Sequence, residues 1–216
     1  MLLKSTSVRP LDHPDRVIAW RCDVRAAEIL DDTPTGRYFL VGRILADEIR
    51  PSEIENCGEN VYAVADGDSA GLEAAWAALL DEDGNFREDE FTAPAEPVVY
   101  LYRFALHPDF AEWRMAVMDD FSMQFGLHGL ILAQFQTTLF SETEFHALGF
   151  KHLPRTCFKA PPGLPNIDRE RETRFLMRHN VLRRDYELVD YPDEAPPATE
   201  EHEQWVKSRG PWKGLN

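Results

Sequence analysis

Residues 98–106, VVYLYRFAL, run without a turn former into His107-Pro108. A short block of β-branched, aromatic and aliphatic residues reads as a strand buried on both faces. Proline, with no N–H to donate and a fixed φ, stops it. Downstream, Met115, Met118, Phe121, Met123 and Phe125 fall at spacings suited to an amphipathic helix over 111–125, ending near Gly126 and Gly129. Residues 130–136, LILAQFQ, supply a second strand. Ser141 and Glu144 then form a capping-box pattern for a short helix, SETEFHAL, which Gly149 closes. A third strand, KHLPRTCF, precedes the turn-forming APPGLP. Alternation of strand and helix from 98 to 158 predicts an α/β fold with crossover connections.

Upstream, residues 17–29 and 37–49 are rich in β-branched and aromatic residues and are separated by DDTPTG, which predicts a hairpin or meander. Asp66 and Ser69 offer cap oxygens to a helix, AGLEAAWAALL, whose Leu72, Ala75, Trp76, Leu79 and Leu80 share one face. The acidic, Gly- and Pro-containing stretch 81–97 reads as a surface loop. The arginines from Arg169 to Arg184 read as a solvated helix face, or as an attractor of an anionic ligand. After residue 189, prolines and carboxylates oppose compaction, so 1–189 is expected to be one domain and 190–216 an acidic tail. The tail's Trp205 and Trp212 offer apolar area for docking on the same chain or on a partner.

The formal net charge of -15 over 216 residues opposes binding to a phosphate backbone, so nucleic acid is not an expected partner. No stretch approaches the roughly 20 apolar residues needed to cross a bilayer, and the N-terminus has no long apolar signal region. Cys22, Cys57 and Cys157 form neither a disulfide framework nor a metal pattern, which fits a reducing cytoplasm. The seven histidines are dispersed, with no ligand pair at helical i,i+4 spacing, and no metal site is expected. Walker A, dinucleotide, nucleophile-elbow and zinc-protease motifs are absent.

The element order and local residues of 98–158 resemble the GNAT superfamily of N-acyltransferases. In that family a strand ending in a hydrophobic-x-Pro turn leads into a loop and helix that cradle the pyrophosphate of acetyl-CoA. Leu106-His107-Pro108 and the following helix stand in that place, and Gly149-Phe150 matches a later Gly-Phe signature. The resemblance implies a mixed central β-sheet flanked by helices, with a divergent N-terminal half. It implies acetyl-CoA or another acyl-CoA as cofactor, held by Leu106, Ala111, Arg114, Met115 and Ala116. The glycine-rich pyrophosphate loop is replaced by Ala111-Glu112-Trp113-Arg114-Met115-Ala116, in which Arg114 offers a cation instead of a backbone contact. The family's tyrosine acid is replaced by Phe145, so the proton would come from elsewhere, with His146 beside it. Glu142 and Glu144 are candidate bases for the attacking amine, directly or through water, although carboxylates in a first helical turn also serve capping and the helix dipole.

The implied activity is acyl transfer to an unidentified amine, small-molecule or protein, and the negative surface favours a cationic acceptor. The alternative is a non-catalytic interaction protein on a degenerate acyltransferase fold, engaging a basic partner.

Overall fold

A computed structural model describes residues 2–8, 16–81, 83–87, 96–126, 129–134, 140–153, 175–179 and 189–209. Its centre is an open mixed sheet. The strands are β1 (Leu2–Val8), β2 (Val17–Leu30), β3 (Thr33–Ile49), β4 (Val98–Leu106), β5 (Leu130–Gln134), β6 (Lys151–His152) and β7 (Phe175–His179). Their spatial order is β1-β2-β3-β4-β5-β7-β6. Every described pairing is antiparallel except that of β4 with β5.

β2 and β3 form the expected hairpin, turning through Asp31 and Asp32, both at positive φ. Aspartate tolerates that left-handed region better than most residues. The strand from 98 ends at Leu106 as its sequence requires, and β5 begins at Leu130. Residues 135–136 and 154–158, the expected ends of the second and third strands, lie outside the described residues, as does most of the 81–97 loop.

Period-two alternation sorts the central strands between two cores. Val99, Leu101, Ile131 and Ala133 point to one face and pack with Phe110, Met118, Phe121, Phe145 and Phe150. Val98, Tyr100, Leu130 and Leu132 point to the other and pack with Ile54, Tyr62, Leu72 and Trp76. The first face is covered by α4 (Arg114–Phe125) and α5 (Glu142–Ala147). The second is covered by α1 (Pro51–Asn56), α2 (Val61–Asp68) and α3 (Ala70–Ala78). Burial on both faces explains why β4 is apolar almost throughout.

Three sequence expectations change. Ser69 caps α3 through a 3.2 Å bond from the Leu72 amide, while Asp66 lies inside α2. The segment 111–125 is not one helix: a 3-10 helix, Pro108–Trp113, feeds into α4 at Arg114. The arginine-rich run contains β7, an inner strand between β5 and β6, and not a solvated helix over those residues. Arg178 is buried there and bonded to Asp119 of α4 at 3.3 Å. Burial of that guanidinium beside a carboxylate is what an inner strand demands.

Residues 189–209 lie on the sheet. The Ala198 N–H donates to Ala27 O at 3.0 Å, and α6 (Glu200–Ser208) runs along β3 with Val206 fully buried. No helix among the described residues is long and apolar enough to cross a membrane.

Candidate functional site

β4 leads into the turn that holds the residues matched to a cofactor. It pairs with β5 only from Val98↔Leu130 to Leu101↔Ala133, and it then runs on to Leu106 without a further β5 partner among the described residues. Parallel pairing places the C-terminal ends of both strands, and the helices that follow them, on the same side of the sheet.

At that end, His107 turns the chain. The Asp109 amide donates to His107 Nδ1 at 3.2 Å, the Phe110 amide to His107 O at 2.9 Å, and the Arg114 amide to Ala111 O. These three amides are therefore committed within the turn. Arg114 reaches α5, where its guanidinium bonds the Glu144 carboxylate, and it also donates to Ala111 O at 2.8 Å. Its Nε is buried with no hydrogen-bond partner. Burial alone raises Glu144, but the Ser141 backbone amide and the Arg114 guanidinium outweigh it and hold the carboxyl below its ordinary value.

The remaining residues matched to a cofactor site divide. Leu106 and Ala116 are buried in the core, Ala111 is exposed and Met115 is half-buried. Leu106 sits against Gly42 of β3, where an added Cβ would lie 2.7 Å from the Leu106 side chain, so it packs the sheet. Of this set, Arg114 alone carries a buried polar atom without a partner, which is the kind of donor an anion satisfies.

The turn also receives α6. His202 Nε2 lies 3.0 Å from Asp109 Oδ2, and the His107 ring meets those of His202 and Trp205 edge-on at 4.5 and 4.9 Å. Burial, reinforced by His202, lowers His107, while the hydrogen bond from His202 lowers Asp109.

Glu142 and His146, the candidate base and acid, are brought together with a residue the sequence did not single out. His152 Nε2 lies 2.6 Å from Glu142 Oε1, and His146 Nε2 lies 3.9 Å from the same oxygen. All three lie on the surface edge formed by α5 and β6. Phe145 is buried, its ring tilted against Phe140 at 5.2 Å and edge-on to Phe150 at 5.3 Å, as a core residue's is.

A second group was missed. Asp47 of β3 is buried, pairs in register with Tyr100 of β4, and lies on the face covered by α1 to α3. No side-chain hydrogen bond to it occurs among the described residues. Burial, then the nearby Asp68 at the end of α2, pushes its carboxyl from 3.8 up to about 7. Tyr100 and Tyr102, ring centroids 5.9 Å apart, are pushed to about 12 by burial and by Asp47. Both hydroxyls therefore stay protonated while Asp47 exchanges its proton near neutrality. The local signal was the acidic pair Asp47-Glu48 inside an otherwise apolar strand, since aspartate is depleted in strands.

No protein-family model, curated protein or solved structure matches this chain.

Proposed function

We propose that this protein is a divergent acyl-CoA-binding N-acyltransferase that moves an acyl group onto a cationic amine, in a cytoplasmic setting. The observation that carries the reading is the parallel β4–β5 pair, joined over four residues, with α4 leaving the end of β4 and Arg114 at its start. The resemblance read from 98–158 places the pantetheine arm beside those strand ends and the pyrophosphate by α4. Arg114 would meet the phosphates through Nε and, on leaving Glu144, through its outer nitrogens. A bound acyl-CoA supplies an activated thioester.

The chain's own contribution is proton handling. An amine that enters as R–NH3+ must lose a proton before its nitrogen can attack a carbonyl carbon. Asp47, ionised in part at neutral pH, takes that proton, and Asp68 favours approach of the cation. As the new C–N bond formed and the C–S bond broke, Tyr100 or Tyr102, still protonated, would give its proton to the departing thiolate, and the phenolate left behind would take the proton that the nitrogen sheds on becoming an amide. This assignment replaces the missing tyrosine at Phe145 and relieves Glu142 and His146 of the central role.

Calorimetric titration with acetyl-CoA and with CoA tests the reading. Saturable binding is expected to weaken in Arg114→Ala and to tighten in Glu144→Gln, which releases the guanidinium. In an amine screen, Asp47→Asn should lose turnover while keeping affinity for CoA. Absence of binding by the wild type and by Glu144→Gln alike would sink the transferase reading.

A specific observation favours a second reading, the non-catalytic interaction protein. Arg114 is neutralised by Glu144, and α6 covers the His107-Asp109 turn. On this reading the closed end is permanent and the acidic surface engages a basic protein. The same titration separates the two, because a permanently closed end gives no CoA binding in any variant.

A further inference from the structure

Two groups of three side chains bring metal-ligating atoms within 4.8 Å of one another: Glu142, His146 and His152, and His107, Asp109 and His202. They differ in what already holds the imidazoles.

In the second group His107 Nδ1 accepts the Asp109 amide at 3.2 Å, and His202 Nδ1 accepts the Thr199 amide at 2.9 Å. An imidazole that accepts at Nδ1 carries its proton on Nε2, and His202 Nε2 duly lies 3.0 Å from the Asp109 carboxylate. A metal at that nitrogen would displace the proton to Nδ1 and set it against a backbone N–H. The network is complete as a helix-docking contact.

In the first group the contact that gathers the ligands is a side-chain one, His152 Nε2 to Glu142 Oε1, which a metal between the two would replace. Glu142 opens α5, His146 follows one turn later, and the chain reverses at Gly149, whose φ of 79° suits glycine. The reversal is fixed by the Gly149 amide to His146 O at 2.8 Å and the Phe150 amide to Phe145 O at 2.9 Å, with Phe150 fully buried. That turn returns His152 to the first turn of α5, with its ring centroid 5.8 Å from that of His146. The backbone is thus set by the capping box and a buried phenylalanine, while Glu142 and His146 remain exposed and free to adjust.

Tetrahedral coordination at bond lengths near 2.0–2.2 Å needs donors about 3.3 Å apart. Glu142 Oε1 stands 2.6 Å from His152 Nε2 and 3.9 Å from His146 Nε2. These two separations need to change by only about 0.6–0.7 Å to meet that spacing, and the third, between the two imidazoles, lies within 4.8 Å. Two imidazoles and one carboxylate suit zinc, cobalt, nickel or copper and not magnesium or calcium, and the exposed side leaves a fourth position to water. The net charge of -15 raises the local concentration of cations.

We propose that Glu142, His146 and His152 form a divalent transition-metal site that ties α5 to β6. The site requires neither acyl-CoA nor an amine, so it stands or falls apart from the transferase reading. Bound metal occupies the Glu142 carboxylate and pins the segment that also holds Glu144, the partner of Arg114.

The test uses the full chain, treated with chelator and desalted, titrated with zinc chloride by calorimetry and with cobalt chloride by visible spectroscopy. One equivalent of zinc should bind, and cobalt should give intense ligand-field bands of a four-coordinate site. His146→Ala and His152→Ala should each weaken binding by at least about tenfold, the low end for loss of even an outer partner. His202→Ala should leave binding unchanged, and magnesium and calcium should give no saturable heat. Circular dichroism confirms that each variant folds, and the exposed Glu142→Gln provides a ligand loss that leaves the turn intact. Absence of saturable zinc binding overturns the proposal, as does binding unaffected in a His146→Ala/His152→Ala double variant, or binding lost in His202→Ala instead.

Discussion

Replacing Asp47 by asparagine isolates the energetic cost of the buried carboxyl on β3. Its folded-state value of about 7, against 3.8, means that the native state holds a proton which the unfolded chain releases. A raised carboxyl of this kind contributes stability that is complete below the unfolded value and is lost as pH climbs through the folded one. The shift of about 3 units corresponds to roughly 4 kcal/mol between the acidic and alkaline limits. Over the accessible window from about pH 5 to about pH 8, the portion lost is about 2–3 kcal/mol. Asparagine has nearly the same shape and no charge to desolvate; its buried amide costs about 1–3 kcal/mol if unbonded, but that cost does not vary with pH.

The quantity to measure is therefore the difference in unfolding free energy between Asp47→Asn and wild type, from urea titrations at several pH values. That difference should swing by about 2–3 kcal/mol in favour of the variant from pH 5 to pH 8, on the order of a 1 M shift in midpoint. Subtraction cancels the carboxylates that both proteins share, including Glu144 and Glu203, which are held low and pull in the opposite sense. Asp68→Asn should produce a smaller swing of the same sign, because it removes only the secondary cause. A difference that stays flat across this range would refute the assignment of Asp47 as a buried group poised near neutrality.

Asp119→Ala should cost about 3 kcal/mol in chemical denaturation, because it takes the carboxylate away from the buried Arg178 guanidinium. Gly129→Ala should destabilise by about 1–3 kcal/mol or more, since the new methyl would lie 2.0 Å from the Pro97 carbonyl oxygen, and thermal unfolding will report it. The protection of α6 amides relative to intrinsic exchange at each pH should fall on acidification through the histidine range, because His107 is held low and its protonation beside His202 works against docking. Exchange rates in α6 that are unchanged by His107→Gln at low pH would count against this reading.

Local chemistry made part of this molecule legible. β4, the hairpin of β2 with β3, and the cap of α5 each rest on neighbours in sequence: a proline stop, a turn-rich hexapeptide, a serine three residues before a glutamate. The features that escaped depend on residues far apart in the chain. β7 carries an arginine that looks solvated until Asp119, 59 residues away, is placed against it. α1 and α2 do have start signals, Pro51 at the first position and Asn60 as cap, but six and eight residues are too few to establish a helical period. Asp47 carried a local signal in the Asp47-Glu48 pair, but the raised carboxyl comes from burial and from Asp68 of α2, neither of which a local reading supplies. His152 joins Glu142 only because the Gly149 turn folds the chain back. Of the residues matched to a cofactor, the identity of Arg114 was readable, whereas its engagement with Glu144 was not.

β3 and β4 are antiparallel neighbours that a tight turn could have joined, yet the chain spends residues 50–97 between them. Closing so long an excursion is inexpensive, since each doubling of loop length adds only about 0.6 kcal/mol. What the excursion builds is the helical cover over Asp47. Its exposed positions can vary while Ile54, Tyr62, Leu72 and Trp76 keep the strands beneath covered. The roof above the most unusual carboxyl is thus built entirely from chain that lies between two neighbouring strands.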